Sequence, residues 1–113
     1  MYRNFEQYQT TATMDKAEVI AKVSAYKNLL KDYFPLEKVY LFGSYAKDTF
    51  REDSDIDVAV VVKQVEGDFF TVNPLLWKLR REIDDRIEPI LIERDFDTAD
   101  FLHEVQRYGV EVA

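Results

Sequence analysis

The segment IDVAVVV at residues 56–62 most constrains what this chain of 113 residues can fold into. β-Branched residues favour extended structure, so the segment predicts a buried strand. Successive side chains of a strand point to opposite faces. Ile56 and Val58 are therefore expected to enter the core, while Asp57 shares the other face with Asp55. Two neighbouring carboxylates are predicted on one face of a strand whose other face is buried.

Three helices are predicted around this strand, each with a polar capping residue before an apolar stripe that repeats at spacings of three and four. The first helix is predicted to begin at Asp15, with Glu18 in a capping box, and to end at Pro35. The second begins at the cap Asn73, with Pro74 at its first helical position. The third begins at Asp97 or Thr98 and ends at a cap on Gly109. Caps of this kind supply the hydrogen bonds that the ends of a helix lack.

Two further strands are predicted, at residues 39–42, ending at Gly43, and at residues 87–92. Pro89 cannot donate a backbone hydrogen bond, which indicates either an edge position or an irregularity in the later strand. Residues 44–54 form a polar connection, with a short helix expected at Ser44. The order helix, strand, strand, helix, strand, helix predicts an α/β (α+β) domain, in which helices pack on a small mixed sheet.

Composition narrows the classes of function. Residues 1–13 are polar and without period, so they are predicted as a flexible arm before a domain at residues 14–113. A net charge of -7 makes nucleic acid an unfavourable partner, and the lack of cysteine excludes disulfides and thiolate sites. No apolar run suits a signal peptide or a membrane span, so we expect a cytoplasmic protein with no membrane partner.

Gly43 and Ser44 complement the aspartate pair. Glycine lets the backbone approach a ligand closely, and free backbone N–H groups with a serine hydroxyl can hold a phosphate. Asp55 and Asp57 repel each other unless a cation lies between them. Mg²⁺ is typically bound by one or two carboxylates together with substrate phosphates. These residues predict a site for Mg²⁺ and a nucleoside triphosphate.

Phe42-Gly43-Ser44, a spacer of about ten residues and Asp55-Ile56-Asp57-Val58 resemble the signature of the polymerase-beta-like nucleotidyltransferase superfamily. Length and element order are similar to the minimal nucleotidyltransferase domains, which are often encoded beside a HEPN-type helical partner. The resemblance implies that Gly43 and Ser44 bind the nucleotide. It also implies that Asp55, Asp57 and a third carboxylate, for which Glu88 is the candidate, are catalytic and hold metal.

The same resemblance implies Mg²⁺-dependent transfer of AMP from ATP to a hydroxyl acceptor, a side chain on a HEPN-type toxin, in an antitoxin role. Two departures favour an alternative, an inactive domain that acts by binding its partner. Asp48 replaces a glycine found in many relatives, and the third position is Glu88, followed by Pro89. Transfer to a small molecule such as an aminoglycoside, and assembly as a homo-oligomer, both stay open.

Several residues have open interpretations. Glu88 could instead pair with Arg80, Arg81 or Arg86 at the surface. Six other residues have a structural interpretation, and five of them also have a functional one. Lys47 and Arg51 either neutralise phosphates or are solvated, Phe69 and Phe70 either cover the core or form a patch for a partner, Trp77 packs in the core or at an interface, and His103 is expected at the surface.

Overall fold

The computed structural model describes residues 15–51, 53–63, 69–97 and 100–113. The helices are α1 (Lys16–Leu30), α2 (Phe69–Leu79) and α3 (Phe101–Tyr108), and the strands are β1 (Lys38–Phe42), β2 (Ile56–Val62), β3 (Ile87–Glu93) and β4 (Val110–Val112). The predicted N-terminal arm and the predicted role of the Phe69-Phe70 side chains lie outside this description. No helix in the described ranges combines the length and apolar character needed to cross a bilayer.

The four strands form one mixed sheet in the order β3-β2-β1-β4. β2 and β3 are parallel, whereas β1 is antiparallel to both β2 and β4. Phe42 pairs with Asp57, which in turn pairs with Glu88 on the other side. The predicted class, a small mixed sheet with helices packed against it, is confirmed.

The two faces of the sheet carry different layers. α1 and α2 pack on one face and bury the larger core, which includes Tyr26, Leu41, Val58 and Leu76. The Tyr26 hydroxyl donates to the Leu76 carbonyl at 2.7 Å, which joins the two helices. α3 packs on the other face against a smaller cluster of residues, Tyr40, Ala59, Val61, Ile92 and Val105. α3 covers only part of its face.

β3 lies at the edge of the sheet, as Pro89 predicts. The Ile56 amide donates to the Arg86 carbonyl at 2.8 Å, so the backbone polar groups of residue 86 point toward β2. Because these groups alternate along a strand, those of Ile87 and Pro89 point outward. Pro89 therefore lies at a position whose backbone N–H would not bond to β2, so the missing N–H costs the sheet no hydrogen bond. An Arg80 guanidinium nitrogen covers the outward carbonyl of Ile87 at 3.0 Å.

The predicted first helix is confirmed together with its cap. The Asp15 side chain accepts from the Glu18 amide at 2.9 Å, and the Glu18 side chain accepts from the Asp15 amide at 3.2 Å. The α-helix ends at Leu30 and continues as turns toward Pro35, earlier than the sequence indicates.

The predicted elements are wrong in three further respects. α2 includes residues 69–73, so Asn73 is no cap and Pro74 lies inside the helix. The helix accommodates this proline although the missing N–H removes one helical hydrogen bond. Residues 43–48, hereafter the Gly43 turn, form hydrogen-bonded turns rather than a short helix at Ser44. The predictions also lack β4, which begins directly after Gly109.

Candidate functional site

The Gly43 turn lies against the second aspartate. Gly43 has φ of +73°, a left-handed conformation that L side chains rarely adopt. A β-carbon built on Gly43 would lie only 2.1 Å from Asp57 Oδ2. The amides of Lys47 and Thr49 donate to the carbonyls of Gly43 and Ser44 at 3.1 and 3.0 Å, which fixes the turn. Glycine is therefore required here for both conformation and space.

The structure brings the three predicted carboxylates together. Asp55 is exposed just before β2, and Asp57 is half-buried within it. Glu88 on β3 is half-buried and forms the parallel pair of Asp57. Its carboxyl makes a side-chain hydrogen bond with Asp55. Because the core packs on the opposite face of β2, all three groups lie on the face that α3 covers only in part.

Two carboxyls of this cluster, those of Asp57 and Glu88, have raised pKa values. Burial raises the pKa of Asp57, and the negative charge of Asp55 raises it further. The pKa of Glu88 is raised first by its hydrogen bond with Asp55, then by burial and by the charges of Asp55 and Asp57. The nearby Arg80 lowers the pKa of Glu88, but less than these effects raise it. A bound cation would relieve this repulsion.

The donor set fits a metal that is shared with a substrate. Among the described residues, no three carboxylate, imidazole or thiol groups are placed to hold a metal ion by themselves. Mg²⁺ is usually held by one or two carboxylates plus substrate phosphates and water. Asp55 and Asp57, beside a glycine turn with half-buried Ser44, offer this combination.

Two of the three arginines named as alternative partners of Glu88, Arg80 and Arg86, make other contacts. Arg80 donates to the carbonyls of Asp85 and Ile87 and stacks on the exposed Trp77, with its guanidinium carbon 4.7 Å from the ring centroid. Arg86 lies with its Nε 3.6 Å from Asp84 Oδ1. The hydrogen bond of Glu88 with Asp55 favours a place in the carboxylate cluster.

Asp48 lies at the end of the Gly43 turn with φ of +61°. Aspartate tolerates this left-handed conformation better than most residues. Its carboxylate lies 3.3 Å from Lys16 Nζ, which also donates to the Ala46 carbonyl. Lys16 therefore offsets the negative charge that Asp48 places near the turn.

The sequence does not predict that α3 forms a wall beside the Gly43 turn. By its spacing from Phe101 and Val105, Tyr108 belongs to the apolar stripe of α3, yet it is 49% exposed. Lys47 Nζ lies 5.7 Å from its ring centroid, and Phe101 on the same helix packs edge-to-face on Phe42 at 5.7 Å. Tyr108 is the last residue of α3, and the sequence pattern carries no signal for its exposure. His103 is exposed, as expected.

Comparisons with known proteins agree with this geometry. Residues 25–110 match the family described as Polymerase beta, Nucleotidyltransferase. A Methanocaldococcus jannaschii protein, provisionally named a protein adenylyltransferase, is 34% identical over 101 residues, which cover 84% of this chain and 99% of the relative.

Two solved structures are also similar. A protein from Sulfolobus solfataricus, provisionally named a nucleotidyltransferase, shares the fold with a TM-score of 0.62 at 23% identity, covering 85% of this chain and 80% of that one. A chain from a toxin-antitoxin structure with AMP-PNP has a TM-score of 0.62 at 28% identity, covering 81% of this chain and 72% of that one. The family match spans most of the chain and includes the glycine turn and all three carboxylates, so this protein belongs to the polymerase-beta nucleotidyltransferase family, as a minimal nucleotidyltransferase.

Proposed function

We propose that this protein transfers AMP from ATP, with Mg²⁺, to a hydroxyl group on a partner protein. The observation that carries the proposal is the packing of Gly43 on Asp57, beside the hydrogen-bonded Asp55 and Glu88. A phosphate-binding turn and a cation-binding cluster are thus in direct contact. The name of the Methanocaldococcus relative and the AMP-PNP in the toxin-antitoxin structure support adenylyl transfer.

Each group has a role in this proposal. The backbone of Gly43 and the hydroxyl of Ser44 hold the terminal phosphates, and Asp55 and Asp57 hold Mg²⁺. Bound Mg²⁺ would supply neutralisation of the charge that develops on the phosphate oxygens. Glu88 orients the acceptor hydroxyl and takes its proton. The hydroxyl oxygen bonds to the α-phosphorus, the bond from that phosphorus to the bridging oxygen breaks, and pyrophosphate leaves with the electron pair.

The acceptor is proposed to come from a second protein, a HEPN-type helical toxin that adenylylation inactivates. The toxin-antitoxin relative supports a partner of this class. The carboxylates lie on a sheet face that α3 covers only in part, so a partner's side chain has room to approach. Dependence on ATP agrees with the cytoplasmic location that the sequence predicts.

The test compares wild type, the double variant Asp55→Asn with Asp57→Asn, and the control Asp53→Asn, which changes an exposed acid just before the site. Each protein is incubated with ATP labelled at the α-phosphate, Mg²⁺ and the folded product of the neighbouring gene. We expect label on the partner with wild type and the control, and a loss of at least about a hundredfold with the double variant.

Absence of label transfer by wild type would contradict the proposed reaction. Growth rescue in cells that express the partner distinguishes adenylyl transfer from the alternative function, inhibition of the partner by binding alone. If the double variant rescues growth as well as wild type, binding alone accounts for antitoxin activity and catalysis is unnecessary.

A further inference from the structure

A cavity of about 180 Å³ opens beside the Gly43 turn, between the end of β1 and α3. Its lining residues are Phe42, Gly43, Lys47, Phe101, Glu104, Val105 and Tyr108. Gly43 therefore borders both this cavity and the carboxylate cluster. A molecule whose phosphates lie on the Gly43 turn can extend into the cavity without leaving the surface of the protein.

The walls of the cavity suit a flat ring. Phe42 and Phe101 meet edge-to-face, which fixes both rings. Tyr108 also lines the cavity, and about half of its surface is open to solvent. Pockets that enclose drug-sized ligands are larger, at roughly 300–1,000 Å³. The available space therefore suits a single planar group better than a whole acceptor segment.

Charges around the cavity favour an anionic ligand with a hydrogen-bond donor. Lys47 Nζ and the Arg107 guanidinium carbon lie 5.7 and 5.3 Å from the Tyr108 centroid, both within cation–π range. Lys47 belongs to the Gly43 turn and Arg107 lies over the ring of Tyr108, so two cations lie close to the cavity in a chain of net charge -7. Glu104 adds a carboxylate, which when ionised can only accept hydrogen bonds.

We propose that this cavity is the base pocket of the enzyme and that it selects a purine with an amino group, rather than a keto oxygen, at position 6, as adenine has. The base stacks on Tyr108, its amino group donates to Glu104, and Lys47 meets the phosphates. The keto oxygen of guanine would face the Glu104 carboxylate at the same place, which disfavours it. The proposal rests on the proposed function, because the phosphates must lie on the Gly43 turn for the base to reach the cavity.

Calorimetric titration with Mg²⁺ and either ATP, GTP or inorganic tripolyphosphate separates the base from the phosphates. For wild type we expect ATP to bind about tenfold more tightly than tripolyphosphate, a typical contribution of one stacked base. Tyr108→Ala should reduce ATP affinity to that of tripolyphosphate, whereas Tyr108→Phe should keep the difference. Glu104→Gln should bring ATP and GTP to within about twofold. His103→Ala, an exposed change on the same helix, is the matched control.

Amide chemical shifts of the wild-type protein give a second measurement that needs no variant. Shifts that differ between bound ATP and bound tripolyphosphate should lie at Lys47, Phe101, Glu104 and Tyr108. Equal affinity of wild type for ATP and tripolyphosphate, or shift differences confined to residues away from α3, would overturn the base pocket while leaving the phosphate site intact. Failure of tripolyphosphate itself to bind with Mg²⁺ would instead overturn the proposed function and the base pocket with it.

Discussion

At the scale of single residues, the Gly43 turn places unusual demands on two positions. Gly43 is left-handed and packs on a carboxylate, and Asp48 is left-handed and paired with Lys16. The first demand excludes every side chain, because no β-carbon fits. The second only excludes residues that tolerate positive φ poorly. Substitutions at the two positions should therefore have opposite outcomes.

Gly43→Ala should damage both the fold and the site. The left-handed conformation alone costs an alanine about 1–2 kcal/mol, and the contact with Asp57 forces a further shift. We expect a lower midpoint in urea unfolding and loss of Mg²⁺-ATP binding by calorimetry. Thr49→Ala, an exposed change just beyond the turn, should behave like wild type. Normal ATP affinity of Gly43→Ala would show that the turn does not hold phosphate.

Asp48→Gly should be tolerated and should favour nucleotide binding. The pair with Lys16 is exposed and worth at most about 1 kcal/mol, and glycine removes the strain of positive φ. The free energy of unfolding should change by less than about 1 kcal/mol, and Mg²⁺-ATP affinity should rise up to about fivefold as a negative charge is removed. Asp48→Asn, which keeps the side-chain shape, should give the same increase. Weaker ATP binding by both variants would mean that Asp48 supports the site.

At the scale of elements, α3 depends on a cap from outside its own length. Both oxygens of Asp97 accept from the first amides of the helix, from Phe101 at 3.1 Å and from Leu102 at 2.6 Å. Asp100, at the cap position itself, makes no such bond and has φ of +55°. Asp97 thus holds the helix that carries one wall of the cavity.

Asp97→Ala should destabilise the protein by about 1 kcal/mol, the usual cost of losing a helix cap. In this variant, hydrogen exchange of the α3 amides should be faster than in wild type, and the increase should be larger than for the β2 amides. The matched change Asp100→Gly removes an acid without a capping bond and relieves its positive φ, so it should be neutral or slightly stabilising. Equal exchange rates in wild type and Asp97→Ala would contradict the capping role.

Periodicity and caps predicted five of the seven helices and strands near their observed limits. α1 and β1 to β3 contain continuous or periodic apolar patterns, and α3 follows a polar capping residue. They failed where packing decides. The three residues of β4 are too few for a pattern, and they are held by pairing with β1. Pro74 reads locally as a helix start, yet α2 extends before it. The carboxylate site was predictable because residue alternation fixes its face, whereas the cavity needs the position of α3.

At the scale of the whole molecule, one acid joins the first helix to the entrance of β3. Asp84 Oδ2 accepts from Lys22 at 2.9 Å, and Asp84 Oδ1 accepts from the Arg86 amide at 2.8 Å. Burial acts to raise the pKa of Asp84, but the hydrogen bonds from Arg86 and Lys22 and their charges outweigh it and lower the pKa below 3.8. The folded state therefore favours the ionised carboxylate more than the unfolded state does.

This lowered pKa predicts how stability depends on pH. The contribution of Asp84 is present above pH 3.8 and is lost as the pH falls through the lower pKa of the folded state. Asp84→Asn should therefore be less stable than wild type by about 1–2 kcal/mol near neutral pH, and the difference should shrink below pH 3.8. Urea unfolding across this range measures it, with the exposed Asp85→Asn as the control. A difference that is constant with pH would contradict the role of the Asp84 charge.

Pro89 has a consequence for how this protein meets its neighbours. An unprotected edge strand can recruit the strands of other chains and lead to aggregates. Here the outward donor at residue 89 is missing, and Arg80 already occupies the outward carbonyl of Ile87. At residues 87 and 89, the strand that carries Glu88 therefore opposes pairing with a strand of another chain. Under the proposed function, a partner would reach the carboxylates across the open face rather than along this edge.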